Sequence, residues 1–104
     1  MPDGRCLIRL EGEVDLAVVP DLVAQLEFAM EQLSPSLVLD MTAVEFIDSS
    51  GLAALVRARR EAEARGGGLV LTGTNEVLAE LLELTRLDEY FDIVPMADLP
   101  STDA

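Results

Sequence analysis

Asp48-Ser49-Ser50-Gly51 lies between an apolar stretch, "VEFI", and a helix-like one, "LAALV". Two hydroxyls beside a carboxylate suggest nucleophilic chemistry, but the chain has no histidine. The usual general base is therefore missing, and a Ser-His-Asp relay cannot be assembled. Asp15 and Asp48 form a possible acid–base pair, yet nothing else in the sequence builds a substrate pocket around them. A serine where a strand passes into a helix has two other uses. It can cap the helix by accepting a hydrogen bond from a free backbone N–H. It can also take a phosphoryl group from another enzyme, gaining charge and strong acceptor oxygens. The residues alone leave both open, with Gly51 allowing close packing in the first helical turn.

The remaining reactive types are few. Cys6 is the only cysteine, so no internal disulfide or thiol metal cluster can form, and it reads as a small core residue. A chain of 104 residues suits one domain. Half of it is hydrophobic and only 4% aromatic, so Leu, Val and Ala fill the core, with Phe28, Phe46, Tyr90 and Phe91 as the large rings. The net charge of -13 argues against nucleic acid as a partner, since a phosphate backbone needs a basic surface. No run approaches the roughly 20 apolar residues of a membrane span. No basic-then-apolar leader opens the sequence, so a cytoplasmic protein is expected. All basic residues are arginines. Arg57, Arg59, Arg60 and Arg65 crowd one segment after the Asp-Ser-Ser-Gly stretch. Glu61 and Arg65 have the i,i+4 spacing of a surface ion pair, while Arg57, Arg59 and Arg60 remain open to partner contact.

The elements that must position these residues follow from periodicity. "CLIRLEGEVD", residues 6–15, reads as a strand leaving its sheet at Gly12. "VVPDLVAQLEFAMEQL" places apolar residues at 22, 23, 26, 29, 30 and 33, an amphipathic helix with Pro20 in its first turn. "PSLVLDMT" is a short apolar strand, continued by "AVEFID" as a loop or strand end. Ser49 to Arg65 is helical, with Leu52, Leu55 and Val56 inward, and the glycines 66–68 end it. "LVLTG" is the next strand. "NEVLAELLELT" opens with Asn75 as a cap and carries Val77, Leu78, Leu81 and Leu82 as its apolar stripe. "RLDEYFDIVP" reads as a helical turn and a last short strand, and residues 97–104 as a frayed tail. The order β-α-β-α-β-α-β predicts an α/β fold, with a four- to five-stranded, mainly parallel sheet and helices near 20–33, 50–65 and 75–84.

In this setting "FIDSSGLAAL", following the strand "LVLDMT", resembles the signature of STAS domains, specifically the bacterial anti-sigma factor antagonists. "GEVD" at 12–15 resembles that family's glycine-acidic-x-aspartate turn. "GGGLVLTG", the leucine-rich helix and "LDEYFDIVP" resemble its C-terminal third. The resemblance implies a protein that is not an enzyme, needs no cofactor or metal, and is monomeric when free. Its implied partners are an anti-sigma factor that is also an ATP-dependent serine kinase, and a metal-dependent serine phosphatase. Binding frees a sigma factor; phosphorylation ends the binding. The implied phosphoacceptor is Ser49, with Asp15, Asp48, Ser50, Gly51 and Arg57 lining the site or contacting the partner. Such domains usually carry an extra strand before residues 6–10, expected here to be absent or very short. The alternative is a STAS docking subunit of another assembly, a lipid-transport complex or a stress-signalling scaffold, without phospho-switching.

Overall fold

The computed structural model describes residues 4–95. Strands and helices alternate: β1 (Cys6–Val14), α1 (Val19–Gln32), β2 (Ser36–Ile47), α2 (Ser49–Ala64), β3 (Gly68–Thr72), α3 (Glu76–Leu84) and β4 (Asp92–Ile93). The four strands form one sheet in the order β1-β2-β3-β4, every neighbouring pair parallel. Each crossover steps to the next strand in the same direction, and right-handed crossovers of that kind place successive helices on one face. The core agrees. Leu22 and Leu26 of α1, Leu52 and Leu55 of α2, and Leu78 and Leu82 of α3 join one cluster with Leu37, Leu39, Leu69 and Leu71 of the sheet.

Two strands are longer than their sequence patterns predict. The expected turn at Gly12 is not the end of β1. The register against β2 shifts between Arg9 and Glu11 and again between Gly12 and Glu13, and pairing then resumes to Val14. At both shifts the extra residue is on β2, so Gly12, at φ +73°, lies opposite a bulged strand and pairing continues past it. β2 likewise runs through "AVEFI" to Ile47. The consequence is positional: β1 and β2 end side by side, so Asp15 and Asp48 leave the sheet as neighbours. Among the described residues β1 is an edge strand, and the reading of residues 97–104 as a tail lies outside the described residues.

The three helices lie within a residue or so of expectation, because their apolar stripes are regular. The exceptions sit at helix ends. Leu33 is 68% exposed, one position past α1, and Val77 in the first turn of α3 is 56% exposed. The rings also depart from the expected core. Phe91 is buried and Tyr90 packs against the cluster, but Phe28 and Phe46 are largely exposed. Cys6 packs partly buried against the cluster.

Both α2 and α3 close in the same way. Gly67 N–H reaches Ala62 O at 2.8 Å and Gly66 N–H reaches Glu63 O at 3.0 Å, with Gly66 at φ +87°. Leu87 N–H to Leu82 O (2.9 Å) and Arg86 N–H to Glu83 O (3.2 Å) repeat the pattern after α3. There the left-handed position holds Arg86, at φ +62°. A side chain in that conformation costs roughly 1 kcal/mol relative to glycine. Arg86→Gly is therefore expected to raise stability by about 0.5–1 kcal/mol, less the entropy glycine adds to the unfolded chain. Urea denaturation checks it; a destabilised variant would show that Arg86 is held by more than its backbone.

Candidate functional site

The site is assembled where β1 and β2 end. Val14 and Ile47 are register partners, and the next residue, Asp48, donates its N–H to Val14 O at 3.3 Å. Asp48 has extended backbone, ψ -176°, and its carboxylate accepts from Gly51 N–H at 2.9 Å. That is the geometry of an N-cap bonding to the third helical residue. The expectation that Ser49 or Ser50 caps α2 is thus corrected: Asp48 is the cap, and the serines are the first and second helical residues. Ser49 is exposed and Ser50 half-buried. Among the described residues neither hydroxyl has a hydrogen-bond partner.

Gly51 is required by close approach. A Cβ there would stand 2.5 Å from Val14 O and 2.7 Å from Ile47 Cγ1. The first turn of α2 consequently lies against the ends of both strands, and Ser49 is presented beside them. Asp15 builds the opposite wall. Its carboxylate accepts from Ala17 N–H at 3.1 Å, while its carbonyl accepts from Val18 and Val19 N–H, each at 3.1 Å. Asn75 ties in a third loop. It caps α3 through Leu78 N–H (2.9 Å) and donates its amide to Val44 O at 2.7 Å. Sequence showed the cap but carried no signal for the second bond.

The structure brings Asp15, Asp48, Ser49, Ser50 and Gly51 to one end of the sheet. Arg57 is not among them. It lies eight residues on from Ser49, about 12 Å along the helix axis, exposed on the groove between α1 and α2. Arg65 pairs with Glu61 at 2.8 Å, as its spacing predicts, and with Glu31 at 3.5 Å. The hydrogen bond to Glu61 leads in raising the Arg65 guanidinium above its ordinary pKa. Arg59 stacks on the Tyr90 ring, 4.5 Å from its centroid, and lies 3.4 Å from Glu63. These arginines belong to the far half of α2.

The carboxylates of Asp48 and Asp15 are both engaged in backbone hydrogen bonds that shape the turns. Removing the cap has a defined cost: Asp48→Ala is expected to lose about 1 kcal/mol of stability, and Asp48→Asn only a few tenths. Denaturant midpoints of the two variants check this. Equal losses would show that charge, not the cap's hydrogen bond, is what matters. No described helix is long and apolar enough to cross a membrane.

The chain matches the STAS domain family over residues 2–98. It is 33% identical over 86 residues to the anti-sigma-B factor antagonist of Listeria monocytogenes, covering 83% of this chain and 75% of that one. A solved anti-sigma factor antagonist from Mycobacterium paratuberculosis superposes with a TM-score of 0.76 at 27% identity, covering 97% of this chain and 81% of that one. The Bacillus cell fate determinant SpoIIAA in its phosphorylated form has a TM-score of 0.68 at 22% identity, covering 91% and 86%, a likeness of fold. With its parallel sheet of alternating strands and helices, this chain belongs to the STAS domain family.

Proposed function

We propose that the protein is a cytoplasmic anti-sigma factor antagonist. It binds an anti-sigma factor that is also a serine kinase, thereby releasing a sigma factor, and phosphorylation of Ser49 ends the binding. A metal-dependent serine phosphatase restores it. The observation that carries this reading is the division of labour at the head of α2. Asp48 supplies the cap, so the Ser49 hydroxyl is exposed and has no hydrogen-bond partner among the described residues. A modifying enzyme can reach it without dismantling the helix. The antagonist needs no base of its own, because the kinase supplies the chemistry. The names of the curated relatives support the same reading.

Asp15, Asp48, Ser50 and Gly51 shape the surface around Ser49. A specific interface covers roughly 800 Å² on each partner, a patch wide enough to take in Arg57 as well. The test is incubation with the purified anti-sigma factor kinase and ATP, followed by peptide mass mapping. A single phosphoryl group on Ser49, abolished in Ser49→Ala with Ser50 intact, is the expected result. A stable complex with no phosphoryl transfer would instead favour a docking subunit of another assembly, and modification confined to Ser50 would overturn the assignment.

A further inference from the structure

The seven arginines are distributed by the topology. Parallel strands all end at one pole, and the helices return in the opposite sense. Arg59 and Arg60 therefore fall in the second half of α2, Arg65 caps its C-terminus, Arg86 follows α3 and Arg5 precedes β1, all toward the other pole. Between Arg9 and Arg57 the chain has no basic residue at all, although it carries nine carboxylates there. Glu13, Asp15, Glu45 and Asp48 of that stretch fall at or next to the ends of β1 and β2, at the Ser49 pole. The ion pairs among the described residues lie elsewhere, on β1 at Arg9–Glu11 and around Arg59 and Arg65. Exposed Glu13, Glu45 and Glu76 at the pole have no cationic partner among the described residues. Arg57, about 12 Å along α2 from Ser49, lies outside the pole, in the groove between α1 and α2.

The same pole exposes large apolar side chains. Leu16 is 69% exposed, Phe46 49% and Val77 56%. They come from three loops or element ends that backbone and Asn75 hydrogen bonds tie together. Apolar anchors among uncompensated carboxylates suit a partner with the complementary arrangement.

We infer that the Ser49 pole is a docking face for a protein surface that rings an apolar recess with arginine or lysine, and that its one-signed field steers the encounter. The inference rests on the partner-binding reading above and names the chemistry of that partner's contact surface. A field of this kind raises association rates and is weakened by salt, while close contact sets the lifetime of the complex. It carries a consequence for the switch. Phosphate on Ser49 makes the pole more negative, so the phosphoprotein keeps its association rate and loses affinity through faster dissociation.

Two measurements test this. On the free protein, amide relaxation by a cationic nitroxide, amino-PROXYL, is compared with that by anionic carboxy-PROXYL. The cationic probe is expected to be enriched at residues 15–18, 48–51 and 75–77 relative to residues 63–68. Equal enrichment overturns the inference whether or not a partner binds. In stopped flow with the anti-sigma factor kinase, the association rate is expected to fall about tenfold between about 50 mM and about 300 mM salt. Glu13→Gln with Glu76→Gln should slow association about threefold at the lower salt, whereas Glu83→Gln with Glu89→Gln, toward the other pole, should not. A salt-independent association rate, or a phosphoprotein that associates more slowly and dissociates unchanged, overturns the inference. A kinase that does not bind at all counts against the proposed function, while the nitroxide comparison still decides the field.

Discussion

Phosphorylated at Ser49, the protein is expected to bind its anti-sigma factor kinase at least about tenfold more weakly, a loss of about 1.4 kcal/mol or more. Ser49 is exposed at the head of α2, beside the ends of β1 and β2. A partner that closes over it must take the added group out of water. A phosphoryl group carries roughly -1.5 to -2 charge at neutral pH, and an unpaired dianion in a dry contact costs several kcal/mol. Long-range attraction to a basic rim acts before contact and does not offset that cost at the centre. Ser49→Ala removes only a small hydroxyl, so it should bind like the unmodified protein and resist switching. Ser49→Asp adds one charge on a shorter side chain, so its loss should be partial. Calorimetric dissociation constants for the four species check the order; equal affinities would contradict it.

Gly51→Ala has the second large expected effect, and here the sign is informative. If helix propensity alone decided the outcome, alanine would stabilise α2 by about 0.8–1 kcal/mol. Its Cβ, however, would stand 2.5 Å from Val14 O and 2.7 Å from Ile47 Cγ1. The first atom is backbone in the sheet, and the second belongs to a buried core residue. Neither is the free end of a flexible chain. Overpacking of this kind costs about 1–3 kcal/mol, and the clash also pushes the first turn of α2 away from the Asp48 cap. A net loss of about 2 kcal/mol should lower the thermal midpoint by roughly 8–15 °C in a domain of this size. A midpoint at or above that of the unmodified protein would show that the first turn lies looser against the strands than the structure has it.

The fold was legible because its signals are local and regular. The stripe of Leu22, Leu26 and Met30, Pro20 in the first turn of α1, the cap at Asn75, and the glycines after Arg65 each act within a turn or two of their own position. What escaped depends on pairing between distant segments. Nothing near Gly12 says that β1 resumes its partnership with β2, since that depends on register across the sheet. The exposure of Phe46 and Val77 also depends on which elements cover which ends, a property of the assembled molecule. At the site, the grouping of Asp15 with Asp48, Ser49, Ser50 and Gly51 was implied by the family resemblance and not by any local pattern. The assignment of the cap was implied by neither. Asp, Ser and Ser are all good capping types, and only the extended backbone at Asp48 chooses among them. That choice has functional weight, because a capping Ser49 would have a hydroxyl already engaged.

Phosphorylation of Ser49 is expected to switch a surface and leave the fold intact. A negative group at a helix N-terminus gains roughly 0.3–1 kcal/mol from the free N–H groups and the helix dipole. Repulsion from neighbouring Asp48, and from Asp15 across the strand ends, is of similar size at an exposed site, where screening keeps such terms small. The two nearly cancel in the free protein, and no such cancellation is available under a partner. The direct measurement pairs the thermal midpoint with the kinase dissociation constant, for phosphorylated and unmodified protein at one salt concentration. The predicted result is a midpoint changed by no more than about 4 °C together with at least about a tenfold rise in dissociation constant. A phosphoprotein that melts far lower, and loses binding only in proportion to the fraction unfolded, would contradict it.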